Sequence, residues 1–249
     1  MRATWVWDRP DPESLVRWAL GSGVGELFVH VRPRLATSPD LEWVRAVSAQ
    51  ARAAGIRVAA LGGDPSWVVR TDDALDWQAG ALATGVWDAV HVDVEPWRRD
   101  DWDSRRAELV AGYLEVHRRL AAATALPVEA DVAFWLHEVE SVAGPLDVAL
   151  MREVDAVTVM SYRTTATGPD SITAVAERAL ATAGEVGIGC RLAVETRHLG
   201  DDPVSRKQTF HGLGAASLER VLAAVDTHHA NTAAHRGIAV HDHAGWRSL

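Results

Sequence analysis

The sequence predicts an α/β chain folded as a single (β/α)8 barrel of the TIM type. Three observations carry this. Eight short runs rich in β-branched and apolar residues alternate with helix-period stretches. They recur roughly every thirty residues, as βα units do. The length of 249 residues matches a closed parallel barrel, usually near 250 residues long. A doubly wound sheet is the alternative, but eight units starting at residue 3 suit closure better. No linker or low-complexity segment divides the chain, so residues 1–249 are read as one domain.

The first strand is expected over Ala3–Asp8. Asp11-Pro12-Glu13 then opens a helix, with Asp as N-cap and Pro at the first helical position. Leu15, Val16, Trp18 and Ala19 form its apolar face, and Gly21 and Gly23 stop it. Glu26–Val31 is the second strand, and Ser38-Pro39-Asp40 starts a helix running to Gly55. Arg57–Leu61 is the third strand, closed by Gly62-Gly63-Asp64-Pro65; Thr71-Asp72-Asp73 caps a helix ending near Gly85.

Ala89–Glu95 is the fourth strand. Val90, Val92 and Val94 alternate with His91, Asp93 and Glu95, giving one valine face and one polar face. Pro96 cannot extend a ladder, so the strand is expected to end at Glu95. Two acids two residues apart thus stand at the C-terminal end of a strand, where parallel α/β proteins bind ligands. A long helix follows from Asp103 or Ser104 to about Thr124.

Pro127–Phe134 is the fifth strand, with Glu129, Asp131 and Ala133 on one face. After a less regular segment come a helix around Leu146–Val154, a sixth strand over Ala156–Tyr162 and a helix over Ser171–Val186. Arg191–Thr196 is the seventh strand. A longer connection, His198–Gly214, leads to a helix from Ser217 to about Ala234, and Gly237–His241 is the last strand. Few residues follow it, so the final helix is expected to be truncated or missing. The seam between last and first strands then needs another cover. Either the first helix (Leu15, Val16, Trp18) and the seventh (Leu218, Val221, Leu222, Val225) lean together, or a partner subunit docks. The local solution is favoured, and with it a monomer.

Composition narrows the function. The formal charge of −9 argues against a nucleic-acid partner, since phosphate binding needs a basic face. The single cysteine, Cys190, excludes a disulfide framework and a cysteine-rich zinc site. Met1-Arg2-Ala3-Thr4-Trp5-Val6-Trp7 is no signal peptide, and no apolar stretch is long enough to span a bilayer. The expectation is a soluble cytoplasmic protein with no membrane partner. Trp (11) outnumbers Phe (3) and Tyr (2); indole stacks on sugar faces, although it also fills cores.

Polar residues gather at the predicted strand ends: Asp8, His30, Arg32, Asp64, Asp93, Glu95, Asp131, Tyr162, Arg163, Glu195, His241 and Asp242. Any barrel mouth is wet and polar. That alone explains inward-facing Asp93, Glu95, Asp131 and Glu195 poorly, because buried carboxylates are costly unless paired or used.

Asp88-Ala89-Val90-His91-Val92-Asp93-Val94-Glu95 resembles the D-x-x-D-x-D-x-E signature of glycoside hydrolase family 18, the chitinase family, with His91 in place of the second Asp. Ala60-Leu61-Gly62-Gly63 is similar to that family's S-x-G-G, with Ala for Ser. Met160-Ser161-Tyr162-Arg163 is similar to its M-x-Y-D, with Arg for Asp. Trp246, after the eighth strand, stands where the family has a Trp beneath the sugar. The motifs fall on strands in the family's order; the helices and loops between them are not covered.

The resemblance implies a barrel in which Glu95 is the general acid and Asp93 supports it and orients the substrate's N-acetyl group. The acetamido oxygen then acts as nucleophile, which exempts the family from the two-carboxylate rule, and Tyr162 helps hold that group. Because Asp93 and Glu95 crowd one site, one pKa of the pair is expected to rise. Arg163 and His91 depart from the pattern, and Glu195 is not explained by it. Glu on strands four and seven instead suggests an ordinary retaining pair with Glu195 as nucleophile; otherwise Glu195 is expected to pair with Arg163 or bind a sugar hydroxyl.

The candidate catalytic residues are therefore Glu95, Asp93, Tyr162 and Glu195, and the candidate substrate contacts Trp7, Asp8, Asp131, Arg163, His241 and Trp246. The expected partner is a carbohydrate, a small soluble glycoside or N-acetylhexosamine-containing fragment, or another small-molecule substrate. No cofactor is expected. Two other classes stay open: a catalytically silent carbohydrate-binding barrel, and a metal-dependent barrel hydrolase drawing on His30, His91 and His241-Asp242-His243. No H-E-x-x-H pattern supports the metal.

Overall fold

Alternation along each strand sends one set of side chains toward the helices and the other into the barrel. Val6, Val29, Val58, Val90, Val92, Val157, Leu192, Ile238 and Val240 join the large apolar core that the helices cover. Ala3, Trp5, Phe28, Ala59, Leu61, Ala89, Ala193 and Ala239 form a second, separate core inside the barrel. The computed structural model describes residues 1–249.

Its elements run β1 (Arg2–Val6), α1 (Pro12–Gly21), β2 (Val24–His30), α2 (Leu41–Ala53), β3 (Arg57–Gly62), α3 (Thr71–Leu82), β4 (Ala89–Val92), α4 (Arg106–Ala122) and β5 (Val128–Ala133). A two-residue hairpin, β6 (Glu140–Ser141) and β7 (Gly144–Pro145), interrupts the repeat. Then come α5 (Leu146–Met151), β8 (Ala156–Met160), α6 (Ile172–Val186), β9 (Gly189–Glu195), α7 (Pro203–Gln208), α8 (Ala215–His228), β10 (His235–His241) and α9 (His243–Arg247). The eight long strands close in the order β1-β10-β9-β8-β5-β4-β3-β2, every pair parallel. The expected (β/α)8 barrel is the fold, and no helix is long and apolar enough to cross a membrane.

Local chemistry explains most boundaries. The Asp11 carboxylate accepts from the Ser14 amide and Pro12 opens α1, as expected. Ser171 caps α6 through Ala174 N. The fourth strand is shorter than its alternation suggests. The Asp93 amide still donates to Gly62 O at 2.9 Å, but the chain then leaves the ladder, and Glu95 precedes a 3-10 turn over Pro96–Arg98. The departure runs close to β3: a Cβ on Gly63 would stand 1.9 Å from Asp93 O. The long connection after β9 contains α7, which the alternation of apolar residues does not announce because none of its residues is buried. The helix α8 stops at His228, short of the expected Ala234.

The seam between β10 and β1 is covered differently from either expected solution. The short helix α9 forms there, capped by the Asp242 carboxylate on Gly245 N. Its Trp246 meets Trp18 of α1 edge to face at 5.2 Å, with Leu249 packed on the same core.

Candidate active site

Small inward residues leave room in the barrel for an ionic network. Arg191 of β9 donates to Glu129 Oε2 at 2.7 Å and pairs with Glu26; Arg57 lies 3.0 Å from Glu26 Oε1. His91 sits above, wholly buried, stacked on Phe28 with ring centroids 3.7 Å apart. Its Nε2 lies 2.9 Å from Asp131 Oδ1 and its Nδ1 3.8 Å from Glu129 Oε2. Burial works against the imidazolium, yet Asp131 and then Glu129 outweigh it and push its pKa up to about 9. Burial also opposes ionised Glu129, but His91 and Arg191 hold it down to about 2. Asp131 Oδ2 accepts from Trp5 Nε1 at 3.0 Å. The His that replaces the second motif acid thus serves Asp131, one strand over.

Above this floor lies a cavity of about 380 Å3 lined by Trp5, Trp7, Asp93, Glu95, Arg98, Asp131, Met160, Tyr162, Glu195, Arg197 and His241. It opens at the C-terminal strand ends, where the barrel fold places its sites. Asp93 is partly exposed, but its Oδ1 is fully buried with no hydrogen-bond partner. Desolvation, then the charges of Asp131 and Glu95, push its carboxyl well above the usual carboxylate range. Glu95 Oε2 accepts from Arg98 at 3.0 Å. Desolvation and the neighbouring acids, Glu195 first, also push the Tyr162 phenol up, so it stays a neutral donor.

The opposite wall is built by β9, β10 and β1. Glu195 Oε1 accepts from the amides of Thr196 and Arg197, each at 2.7 Å, and Oε2 lies 2.8 Å from His241 Nδ1. Trp7 Nε1 donates to His241 Nε2 at 3.1 Å. Arg197 holds Asp242 through Nε at 2.8 Å. Glu195 therefore pairs with His241, not with Arg163.

Seven of the ten candidate residues meet at this cavity: Asp93, Glu95, Tyr162, Glu195, Trp7, Asp131 and His241. Three do not line it. Asp8 is exposed and lies 3.4 Å from His243 Nδ1. Arg163 turns away, donating to Asp170 Oδ1 at 2.7 Å and to Tyr162 O at 2.8 Å, with its guanidinium over Phe134. Trp246 is 6% exposed beside Trp18 on the outer core, because α9 carries its side chain over the seam. Arg98, not among the sequence candidates, also lines the cavity; Pro96 tightens the chain so that residues three apart, Glu95 and Arg98, meet. Arg197 and Met160 join unannounced, although both flank strand ends already singled out. No group of three or more His, Cys, Asp or Glu is arranged to hold a metal ion.

No protein-family model and no curated protein matches the sequence. Among solved structures, the fold is similar to glycoside hydrolase barrels. A GH113 beta-1,4-mannanase superposes with TM-score 0.63 and 8% identity over 97% of this chain and 87% of its own. A chitinase from Chromobacterium violaceum gives 0.58 and 12% over 100% and 97%. The class V chitinase from Nicotiana tobaccum gives 0.54 and 11% over 78% of this chain, which spans 66% of that protein. At these identities the likeness is one of fold.

Proposed function

We propose that this chain is a glycoside hydrolase-like barrel that cleaves a small soluble glycoside or an N-acetylhexosamine-containing fragment, with Glu95 as general acid. The observation that carries this reading is the convergence of Asp93, Glu95 and Tyr162 with Trp5 and Trp7 on one cavity at the strand ends. Its volume of about 380 Å3 lies in the range of small-ligand sites and admits a small saccharide. Glu95 protonates the departing glycosidic oxygen. Asp93, whose carboxyl its surroundings push toward the protonated form, hydrogen-bonds the acetamido group while that group's oxygen attacks the anomeric carbon and the protonated leaving group departs. Water, deprotonated by the now ionised Glu95, then opens the oxazolinium ring and restores the Glu95 proton. Tyr162 donates from the end of β8 into the same cavity. Asp131, already held by Trp5 and His91, supports the wall.

A second reading has one observation in its favour: Glu195 lines the same cavity as Glu95, from the seventh barrel strand against the fourth. That arrangement suits a retaining pair if the carboxyls stand about 5–5.5 Å apart. Against it, both Glu195 oxygens already have hydrogen-bond partners.

The test is hydrolysis of aryl glycosides of N,N′-diacetylchitobiose and of mannobiose by the parent and by Glu95→Gln. Loss of the acid is expected to cost roughly a hundred- to ten-thousand-fold in rate, with saccharide binding retained. An undiminished rate would remove Glu95 from the mechanism, and binding without turnover in the parent would favour the silent carbohydrate-binding barrel. Covalent labelling of Glu195 by a 2-fluoro glycoside would select the retaining pair.

A further inference from the structure

Glu195, His241 and Trp7 are joined in a chain that the proposed chemistry does not use. An indole N–H can only donate, and that of Trp7 points at His241 Nε2 from 3.1 Å. That nitrogen must present a lone pair, so the imidazole is neutral and carries its hydrogen on Nδ1. Nδ1 then donates to Glu195 Oε2 at 2.8 Å. The Glu195 carboxylate is fixed in turn by two backbone amides at 2.7 Å. Orientation is thus passed from the rigid end of β9, through β10, to an indole just past β1. Trp7 is partly exposed in the cavity, and its ring stands 5.3 Å from that of His30. An indole so held presents an apolar face with its polar edge already satisfied, which is what packing against a sugar ring requires.

We propose that Glu195 and His241 are positioning residues that hold the Trp7 indole as the wall against which a neutral saccharide ring packs, and that acidification releases this wall. The proposal rests on the reading of the cavity as a saccharide site. Protonation at Nε2 would set two N–H donors against each other, and with His241 held by Glu195 at Nδ1, the Trp7 indole would have to move. The groups around His241 bear on this change from every side. Burial opposes the imidazolium, but Glu195 of β9, the adjoining Asp242 and Asp131 of β5 favour it and raise its pKa above the ordinary imidazole value. Arg197 is paired with Asp242. Trp5 and Tyr162, at 5.4 and 6.4 Å between ring centroids, bring no charge. On the Trp7 side, burial and the nearby Arg9 and Arg32 keep His30 neutral by lowering its pKa, and Asp8 lies against His243.

The first test needs no ligand. In 15N-labelled protein the Trp7 indole resonance, assigned through Trp7→Phe, is expected to titrate with a midpoint above about 6.5. In Glu195→Gln the midpoint should fall. A resonance that does not move between pH 5 and 8 overturns the proposal. The second test is binding of N,N′-diacetylchitobiose and mannobiose to Glu95→Gln at pH 8 and pH 5. An affinity loss of about tenfold or more at pH 5 is expected. Adding His241→Phe should weaken binding at both pH values. Adding His241→Gln, whose amide can accept from Trp7 and donate to Glu195 without titrating, should restore binding and remove the acid loss. If the indole titrates while saccharide affinity does not follow, Trp7 is not the wall. If neither saccharide binds at either pH, the saccharide reading fails and the wall with it, while the indole titration still judges the relay. Labelling of Glu195 by a 2-fluoro glycoside would make it a nucleophile and overturn its positioning role.

Discussion

Asp93 faces the charges of Asp131 and Glu95, and its buried Oδ1 has no donor to meet. Its raised pKa fixes the sign of its effect on stability. A carboxyl whose folded pKa exceeds the unfolded value favours the fold below that unfolded value, about 3.9, and loses this contribution as pH rises through the folded pKa. Asp93→Asn keeps the shape and removes the ionisation. It should raise Tm at neutral pH, by about 2–4 °C for each kcal/mol gained, with the gain vanishing below about pH 4. If the proposed glycosidase reading holds, the same variant should lose roughly a hundredfold or more in rate, because Asn cannot share a proton with an acetamido group. Thermal melts across pH, with rates on the same samples, check both; an unchanged Tm at every pH would mean that Asp93 ionises without cost. That Asp93 and Glu95 share one side of the chain was legible from two acids spaced by one residue. Which of them would be perturbed was not, because that depends on Asp131, brought close from another strand.

Between elements, the alternation of valines with polar residues was enough to orient β4, since a strand offers only two faces. What it did not disclose was the partner of each inward residue. Glu26 and Arg191 lie 165 positions apart and become neighbours only when the barrel closes, so neither reads as half of a pair in the sequence. The helix α7 hides for a different reason: it buries nothing and so has no apolar stripe, although Asp202-Pro203 repeats the Asp-Pro start of α1. The interior network ties β4 to β5 through His91–Asp131, and β9 to β5 and β2 through Arg191. Its pH response follows from His91. With a folded pKa of about 9 against about 6.5 unfolded, the imidazolium stabilises the fold fully below pH 6.5 and ceases to as pH rises through 9. The amount at stake is on the order of 3 kcal/mol at most. Urea unfolding between pH 6 and 9.5 should show stability falling over this window. The fall should be shallower in His91→Gln, which carries no titrating proton. Equal slopes in the two proteins would show that His91 is neutral throughout.

For the molecule as a whole, the critical place is where the last strand meets the first. Each strand's outer face is apolar and needs a cover. Ile238 and Val240 on β10, and Val6 on β1, point to that outer side and are fully buried. Few residues follow β10, yet they suffice. Asp242 caps α9 at once, and one helical turn carries Trp246 onto Trp18 of α1; His243 also meets the Trp18 ring, at 4.8 Å. The indole expected beneath the sugar thus closes the barrel instead, and the exposed strip that a second subunit would cover is already occupied. Trp246→Ala should therefore destabilise the protein by about 3–5 kcal/mol, the usual cost of emptying a buried aromatic site. Catalysis by the fraction that remains folded should change little, since Trp246 does not line the cavity. Sedimentation of the 249-residue chain at micromolar concentration is expected to give a monomer, and the variant with its seam opened should self-associate more readily than the parent. A kcat loss in Trp246→Ala that outruns its loss of folded protein would return the residue to the substrate site. A stable parent dimer contacting at the seam would mean that α9 alone does not complete the barrel.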